Sequence, residues 1–181
     1  MDVAPISRRA RFEAVMAEVY EPLQRYARRR TDPDTADDVV ADALLVVWRR
    51  LEEVPADGVL PWCYRVAANC LANSRRSVRR GASLVARIGM LDRPGPAPGP
   101  GAPADPELHV ALSTLAEADR ELLRLWAWEG LGPQDLAMVF DVTPNAINIR
   151  LHRAKGRLAE AIGKDPRRSG QRPCEDTEEV T

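Results

Sequence analysis

A stretch rich in proline and glycine constrains the fold of this chain more than any other feature. It covers residues 92–106, reads DRPGPAPGPGAPADP, and contains nine prolines and glycines among fifteen residues. Such a composition disfavours both helices and central strands, because proline lacks a backbone N–H and glycine loses much conformational entropy on ordering. We therefore expect a flexible linker at residues 89–107 between a first module, residues 1–88, and a second module, residues 108–164. Residues 165–181 are expected to form a disordered tail.

Apolar residues recur at helical spacing in both modules. The clearest stripe repeats at i, i+4, i+7, i+8 and i+11 and consists of Val40, Leu44, Val47, Trp48 and Leu51. Asp34 and Thr35 are the candidate N-caps of the helix that carries this stripe. Because the alternation typical of β-strands is absent, we predict an all-α fold of two small helical domains.

Charge is distributed unevenly along the chain, although the formal net charge is only −1. Residues 32–42 contain five aspartates and no basic residue, whereas residues 65–93 contain seven arginines and one aspartate. Evenly spread charges with this total would argue against nucleic-acid binding, but binding depends on the local field. The arginine-rich stretch is therefore a candidate contact for a polyanion.

The residues that usually build catalytic and metal sites are scarce. Cys63, Cys70 and Cys174 form no CxxC pair, the two histidines, His109 and His152, lie far apart in sequence, and no Gly-rich phosphate loop or HExxH motif occurs. We therefore expect no enzyme activity, no cofactor and no metal. The start of the chain lacks the apolar core of a signal peptide, and no run of about 18 apolar residues follows, so we expect a cytoplasmic protein without membrane insertion.

A second face of the helix that carries the stripe combines charges with an exposed leucine. It repeats at i, i+4, i+7 and i+11 and consists of Asp38, Asp42, Leu45 and Arg49. One interpretation is a solvated face, since acids early in a helix are stabilised by its dipole. The leucine among charges favours a protein-binding surface, because interfaces combine apolar centres with polar rims.

The following helix is predicted from Pro61 to about Arg80, with proline in its first turn. Its buried side should comprise Cys63, Val66, Ala67, Cys70, Leu71 and Ser74. The opposite side presents Trp62, Arg65, Asn69, Asn73, Arg76 and Arg80. Arginines pair with phosphates, amides bond base edges and an aromatic ring stacks on an unpaired base, so this face favours partly opened nucleic acid. Taken singly, the tryptophan is equally well explained as a core aromatic. The arginines have a solvated basic face as their alternative interpretation.

The second module has the order of a helix-turn-helix. An amphipathic helix from Leu115 to Trp128, closed by Gly130, precedes a short helix from Pro133. The turn is predicted at Asp141–Val142, and Thr143 is the candidate cap of a longer helix. The core stripe of that last helix comprises Ile147, Leu151, Ala154, Leu158 and Ile162.

The outer face of this last helix has the side chains that read a DNA groove. Asn145 and Asn148 are candidates for adenine edges, and Ile149 for a thymine methyl group. His152 lies on the same face and is interpreted as a DNA or solvent contact rather than a pH switch. The residues expected to reach phosphates are Arg150, Arg153, Lys155 and Arg157.

The order of these pieces resembles the extracytoplasmic-function (ECF) sigma factors of bacterial RNA polymerase. Three stretches carry the resemblance: Ala36 to Arg50 (ADDVVADALLVVWRR), Pro61 to Arg80 (PWCYRVAANCLANSRRSVRR) and Leu112 to Leu158, which includes TPNAINIRLHRAKGRL. Together with residues 12–30 they cover most of residues 10–163. Asn148 and Ile149 differ from the residues common in this family, so the resemblance does not predict which promoter is read.

The resemblance implies a function and a role for each face. The first module would bind core RNA polymerase through Asp38, Asp42, Leu45 and Arg49. It would open and read the minus-ten promoter element through Trp62, Arg65, Asn69, Asn73, Arg76, Arg79 and Arg80, and the preceding loop, about residues 53–60, would help to capture an extruded base. The second module would read the minus-thirty-five element through Asn145, Asn148, Ile149, Arg150, His152, Arg153 and Lys155. Members of this family are often controlled by an anti-sigma factor, which is therefore an expected partner.

Two other functions remain open from the residues alone. An operator-binding transcriptional regulator would have a similar helix-turn-helix, but it would also need a sensory or dimerising domain. The helix from Pro61 to Arg80 fits neither of these. A binding module that another protein holds permanently is the third possibility.

Overall fold

The computed structural model of this protein describes residues 7–87 and 106–163. These residues form seven α-helices and a short 3-10 helix, Leu51–Glu53, without any strand. The α-helices are α1 (Arg8–Arg28), α2 (Pro33–Arg49), α3 (Val59–Arg87), α4 (Pro106–Thr114), α5 (Glu117–Ala127), α6 (Pro133–Phe140) and α7 (Pro144–Gly163). The prediction of an all-α fold is confirmed. The expected linker, apart from its last two residues, and the expected tail lie outside the described residues.

The first module is a three-helix unit in which α1, α2 and α3 all pack against one another. Its core includes Leu23 and Val47, both fully buried. The predicted cap of α2 was wrong. Asp32 is the N-cap, and its carboxylate accepts a hydrogen bond from the backbone N–H of Thr35 at 3.0 Å. The helix therefore begins at Pro33, one residue before the first candidate, and proline suits this position because its missing N–H would have no helical partner there.

Helix α3 is longer than predicted at both ends. It begins at Val59 rather than Pro61 and continues to Arg87 rather than Arg80. The backbone N–H of Trp62 already donates to the carbonyl oxygen of Gly58 at 3.1 Å, so Pro61 lies inside the first turn, where its lack of an N–H is tolerated.

The second module contains one helix that the sequence pattern did not predict. Helix α4 occupies the end of the expected linker and the start of the module, and it packs against α7. The next helix is shorter than predicted, because α5 begins at Glu117 rather than Leu115 and ends at Ala127. Gly130 follows it at φ +68, a left-handed conformation that favours glycine.

Helices α6 and α7 form the predicted helix-turn-helix. Asp141 occupies the turn at φ 55, the left-handed region that aspartate tolerates better than most residues. The hydroxyl of Thr143 accepts a hydrogen bond from the Ala146 N–H at 3.3 Å, as expected for the cap of α7. Ile147 and Ala154 on the core stripe of α7 are fully buried.

The two modules pack directly against each other. Helix α3 of the first module contacts α6 of the second, and the end of α1 contacts α5 and the residues after it. One hydrophobic core runs through both modules. Within the described residues no helix is both long and apolar enough to cross a membrane.

Candidate nucleic-acid interface

The outward face of α7 is open to solvent over its whole predicted length. Ile149 is 47% exposed, although Ile147, two residues earlier, is completely buried. A rotation of about 200° separates the two positions on a helix, so one faces the core and the other faces away. The polar residues of the same outward surface are also exposed: Asn145, Asn148, His152, Arg153 and Lys155.

One predicted member of this face has a different role. The Nε atom of Arg150 lies 3.2 Å from one carboxylate oxygen of Asp119, and Arg157 lies 2.7 Å from the other. Asp119 is only 8% exposed, so its charge requires these partners. The guanidinium group of Arg150 also lies over the ring of Phe140. Arg150 therefore joins α7 to α5 while a third of its side chain stays exposed, and its expected contact with a DNA phosphate stays a prediction.

Lys155 contacts an aromatic ring of the neighbouring helix. Its Nζ atom lies 3.4 Å from the centre of the Trp126 ring, and both residues are exposed. Trp126 is 41% exposed. The cation–π contact holds the lysine charge at the edge of the outward face of α7, within reach of a ligand on that face.

The central and later part of the basic face of α3 is exposed as predicted. Asn69, Asn73, Arg76 and Arg80 all face solvent. Arg76 donates a hydrogen bond to the amide oxygen of Asn73 at 2.7 Å. This bond leaves the amide nitrogen of Asn73 free to donate to a base, with the arginine charge beside it. The placement of the Arg79 side chain lies outside the described residues.

The aromatic residue at the start of this face is not where the sequence pattern placed it. Trp62 is only 4% exposed and belongs to the core, so its predicted position on an open face is wrong. The guanidinium group of Arg50 lies 5.6 Å from the centre of its ring. The core-aromatic interpretation of Trp62 is therefore the correct one in this structure, because the side chain belongs to the buried core and Arg50 lies over its ring.

The second module covers the first turns of α3. Arg65 keeps 33% of its side chain exposed, and its Nη1 atom lies 3.9 Å from the carboxylate of Asp141 in the helix-turn-helix. Met138 of α6 lies against Gly58 so closely that a Cβ atom there would be 2.6 Å from the Met138 methyl group. Gly58 belongs to the loop that the resemblance associates with base capture, so α6 contacts one end of that loop, while Glu53, Ala56 and Asp57 stay exposed.

The candidate protein-binding face of α2 is fully exposed. Leu45 is 52% exposed, and Asp38, Asp42 and Arg49 also face solvent. Trp48, expected in the core, is 39% exposed beside Leu45 and meets the ring of Phe12 edge-on, with centroids 5.1 Å apart. An exposed leucine and tryptophan among charges have the composition of a binding surface rather than of a solvated face.

A buried ionic cluster between the modules was missed by the sequence analysis. Arg30 is paired with Glu121 and Glu129, each at 3.0 Å, and its side chain has no exposed surface. Burial, reinforced by the carboxylate of Glu121, raises the pKa of the Tyr26 hydroxyl well above its usual value, and that hydroxyl donates to Glu121 at 3.1 Å. The only sequence signal was the triple arginine that ends with Arg30, and it does not identify distant partners.

Both halves of the chain match models of regions of one protein family, sigma-70. Residues 15–81 match the model of sigma-70 region 2, and residues 106–158 match the model of sigma-70 region 4. The first match spans α2 and the exposed part of α3. The second spans α4 to the outward face of α7. The two matches together cover about two thirds of the chain.

Several characterised proteins are similar in sequence. RNA polymerase sigma factor NccH of Alcaligenes xylosoxydans xylosoxydans is 27% identical over 149 residues, which cover 77% of this chain and 80% of that protein. Sigma factor CnrH of Cupriavidus metallidurans is 28% identical over 156 residues, or 79% of this chain and 82% of that protein. The probable sigma factor RfaY of Xanthomonas campestris is 31% identical over 140 residues, but this chain spans only 35% of its length.

Solved structures share the fold. The sigma factor RpoE of Bartonella quintana, in complex with the anti-sigma factor NepR, aligns with a TM-score of 0.60 at 23% identity, over 85% of this chain and 98% of that one. CnrH in complex with the cytosolic domain of CnrY aligns with a TM-score of 0.59 at 24% identity, over 88% and 91% of the two chains. At these identities the likeness shows the arrangement of helices alone.

Proposed function

The chain belongs to the sigma-70 family as an ECF sigma factor, and from this premise we propose a role for each exposed face. The protein binds core RNA polymerase, recognises promoter DNA and assists strand opening, so that a specific set of genes is transcribed. It acts as a dissociable polymerase subunit without chemistry of its own. Because the polymerase and the promoter are in the cytoplasm, we infer that location for the protein as well.

We propose that α7 reads the minus-thirty-five element in duplex DNA. Its exposed outward face is the single observation that carries this assignment. Asn145 and Asn148 bond base edges, Ile149 contacts a thymine methyl group, and His152 lies among them. Arg153 and Lys155 neutralise phosphates on either side. Arg150 supports this face from behind through its pair with Asp119.

We propose that α3 opens and reads the minus-ten element. The exposed amides of Asn69 and Asn73 contact bases, and Arg76, Arg79 and Arg80 contact phosphates. Arg65 belongs to the same site and becomes available when Asp141 moves away. Trp62 supports the base-capturing loop from the core, and this role replaces the stacking role expected from the sequence pattern.

We propose that the exposed face of α2 binds core polymerase. Asp38, Asp42 and Arg49 provide a charged rim around the exposed side chain of Leu45. An anti-sigma factor is an expected second partner, because similar solved sigma factors were captured in complexes of this kind. Such a partner would compete with the polymerase or with DNA for the faces described above.

The direct test is transcription with purified core polymerase, with and without this protein, followed by sequencing of the transcripts. We expect a limited set of new start sites that depends on the protein. Binding to a duplex sequence without any binding to core polymerase would instead identify an operator-binding regulator.

A matched pair of variants tests the polymerase face. Leu45→Glu places a charge at the centre of the proposed surface, and we expect it to abolish co-elution with core polymerase. Val110→Glu changes an equally exposed apolar residue, 59% exposed on α4, and should leave co-elution intact. Equal loss in both variants would show that the effect is not specific to the α2 face.

A further inference from the structure

The ion pairs between the two modules are one-sided in charge, although Arg124 of the second module also lies close enough to Arg30 and Arg75 to interact with their charges. Among the described residues, every ion pair that crosses it joins an arginine of the first module to a carboxylate of the second. The pairs are Arg29 with Glu129, Arg30 with Glu121 and Glu129, Arg65 with Asp141, and Arg75 with Glu117. Interfaces between protein and nucleic acid have the same one-sided charge, because phosphates supply all the negative charge.

Three carboxylates accept hydrogen bonds from these arginines, as phosphate oxygens could. Both oxygens of Glu121 accept hydrogen bonds from Nε of Arg30, at 3.0 and 3.1 Å. Glu117 lies 2.8 Å from Arg75, and Glu129 lies 3.2 Å from Arg29. A guanidinium group binds planar carboxylates and phosphate oxygens with the same fork of donors.

These arginines are contiguous with the basic face of α3. Arg75 is adjacent in sequence to Arg76, and its Nη2 atom donates to the backbone carbonyl of Arg30 at 3.3 Å. The end of α1 and the middle of α3 therefore present Arg29, Arg30 and Arg75 as one patch. When the modules separate, this patch extends the surface that we assign to the minus-ten element.

The buried pairing is incomplete. Nη2 of Arg30 is buried but has no hydrogen-bond partner. An unsatisfied buried donor of this kind reduces the net stability of the closed arrangement.

We propose that Arg29, Arg30 and Arg75 form an additional DNA-phosphate site, which Glu117, Glu121 and Glu129 of the second module occupy in the closed protein. The inference rests on the proposed function, since it requires that α3 binds DNA. In the closed form the start of α3 is covered by α6, while the face of α7 stays open. Separation of the modules exchanges the three carboxylates for phosphates and exposes the whole basic face of the first module.

The test is DNA binding by the complete free protein, without polymerase. The probe is a labelled single-stranded oligonucleotide of mixed sequence, and its binding is followed by fluorescence anisotropy. We expect the triple variant Glu117→Gln, Glu121→Gln and Glu129→Gln to bind it roughly tenfold more tightly than the unmodified protein, because a larger fraction of molecules is open. The affinity should also depend more strongly on salt. The slope of log binding constant against log salt concentration should become steeper by about 0.7 for each additional phosphate contact.

A second triple variant controls for the change in net charge. Glu13→Gln, Glu21→Gln and Glu52→Gln remove three exposed carboxylates that are also paired with arginines, but within the first module. We expect no comparable gain in affinity. An equal gain in both triple variants would overturn the proposal, because it would then follow from total charge alone.

The arginines themselves are tested in the opened background. Adding Arg29→Ala and Arg75→Ala to the first triple variant should abolish both the gain in affinity and the steeper salt dependence. A gain that persists would show that opening merely exposes other parts of α3, and the phosphate site would be wrong. Small-angle X-ray scattering should show a larger radius of gyration in the first triple variant than in the control.

Circular dichroism would detect a loss of folding in the first triple variant. In that case a milder variant replaces it. Glu117→Gln changes a side chain that is 69% exposed, so the fold does not depend on it. We expect a gain of about twofold in affinity for the same oligonucleotide. The oligonucleotide assay contains no polymerase, so its two possible failures can be told apart. Absence of a gain in DNA affinity would overturn the phosphate site but not the sigma-factor function. Absence of polymerase binding would overturn the function but not the measured change in DNA affinity.

Discussion

The two helices that sequence analysis predicted to read DNA, α3 and α7, are presented to solvent very differently. Helix α7 exposes its complete outward face, including Ile149 at 47%. Helix α3 exposes only the later part of its basic face, while Trp62 is buried and Arg65 faces the other module. Helical periodicity correctly predicted the buried sides of both helices. It did not predict that the second module would cover the start of α3.

The difference follows from what each helix packs against. Helix α7 packs mainly against helices of its own module, α4, α5 and α6, and the residues on its opposite side are exposed. Helix α3 packs against α1 and α2 on one side and α6 on another. The outward face of α7 is therefore available in the closed protein, whereas the second module covers the start of the basic face of α3.

Trp62→Ala is expected to have the largest effect and tests the burial of the start of α3. Removing a buried tryptophan should reduce the free energy of unfolding by about 3–5 kcal/mol, because a large cavity remains. Urea denaturation measures this loss. Trp126→Ala removes a tryptophan that is 41% exposed and should cost less than about 1 kcal/mol. If both variants lost little free energy of unfolding, Trp62 would belong to the exposed DNA-binding face and not to the core.

A pair of isoleucines tests the outward face of α7. Ile147→Ala should lower the free energy of unfolding by about 2–4 kcal/mol, since the residue is fully buried. Ile149→Ala should change it by less than about 0.5 kcal/mol and instead weaken binding to the promoter duplex. Thermal unfolding and anisotropy on the same samples separate the two effects. If Ile149→Ala destabilised the protein as much, the open face of α7 would be an incorrect description.

Two polar residues of α7 should differ in how they affect DNA binding. Arg153→Ala should weaken binding to all duplexes. It should also reduce the slope of log binding constant against log salt concentration by about 0.9, the value for one phosphate contact. Asn148→Ala should change the preference at one base pair by about 1–3 kcal/mol. Titrations of a promoter duplex and of single-base variants, at several salt concentrations, measure both. Uniform effects of both variants on every sequence would contradict this division of roles.

The helix caps of the two modules should give the smallest effects, and these should differ in pH dependence. Thr143→Ala and Asp32→Ala should each cost about 1 kcal/mol at neutral pH, as capping residues usually do. The backbone hydrogen bond from Thr35 lowers the pKa of Asp32 below its usual 3.8. Its contribution is therefore complete above that value and is lost as the pH falls through the lower pKa of the folded protein.

Unfolding measured between neutral and acidic pH checks the sign of this effect. The cost of Asp32→Ala should disappear in acid, while the cost of Thr143→Ala should stay constant. A cost of Asp32→Ala that grew in acid would rule out the carboxylate as the cap. This comparison also shows whether the two modules lose stability together.

Local signals in the sequence determined most of the helices, the helix-turn-helix and the order of the two modules. Hydrophobic spacing, capping residues and the turn at Asp141 act over a few residues, so each can be read without knowing the rest of the fold. The same signals placed Asn145, Asn148 and Ile149 on one outward face, because the face depends only on the helical repeat. Helix α4 was missed because it lies beside a stretch dominated by proline and glycine.

Only the tertiary structure decided which charged and aromatic residues are available. Arg30 meets its partners across 91 and 99 residues of sequence, and Arg150 meets Asp119 across 31. No local pattern encodes such encounters, because any arginine on a helix face has the same appearance whether it meets solvent, DNA or a distant carboxylate. The faces of this protein were thus determined by sequence, and their accessibility by the packing of one module on the other.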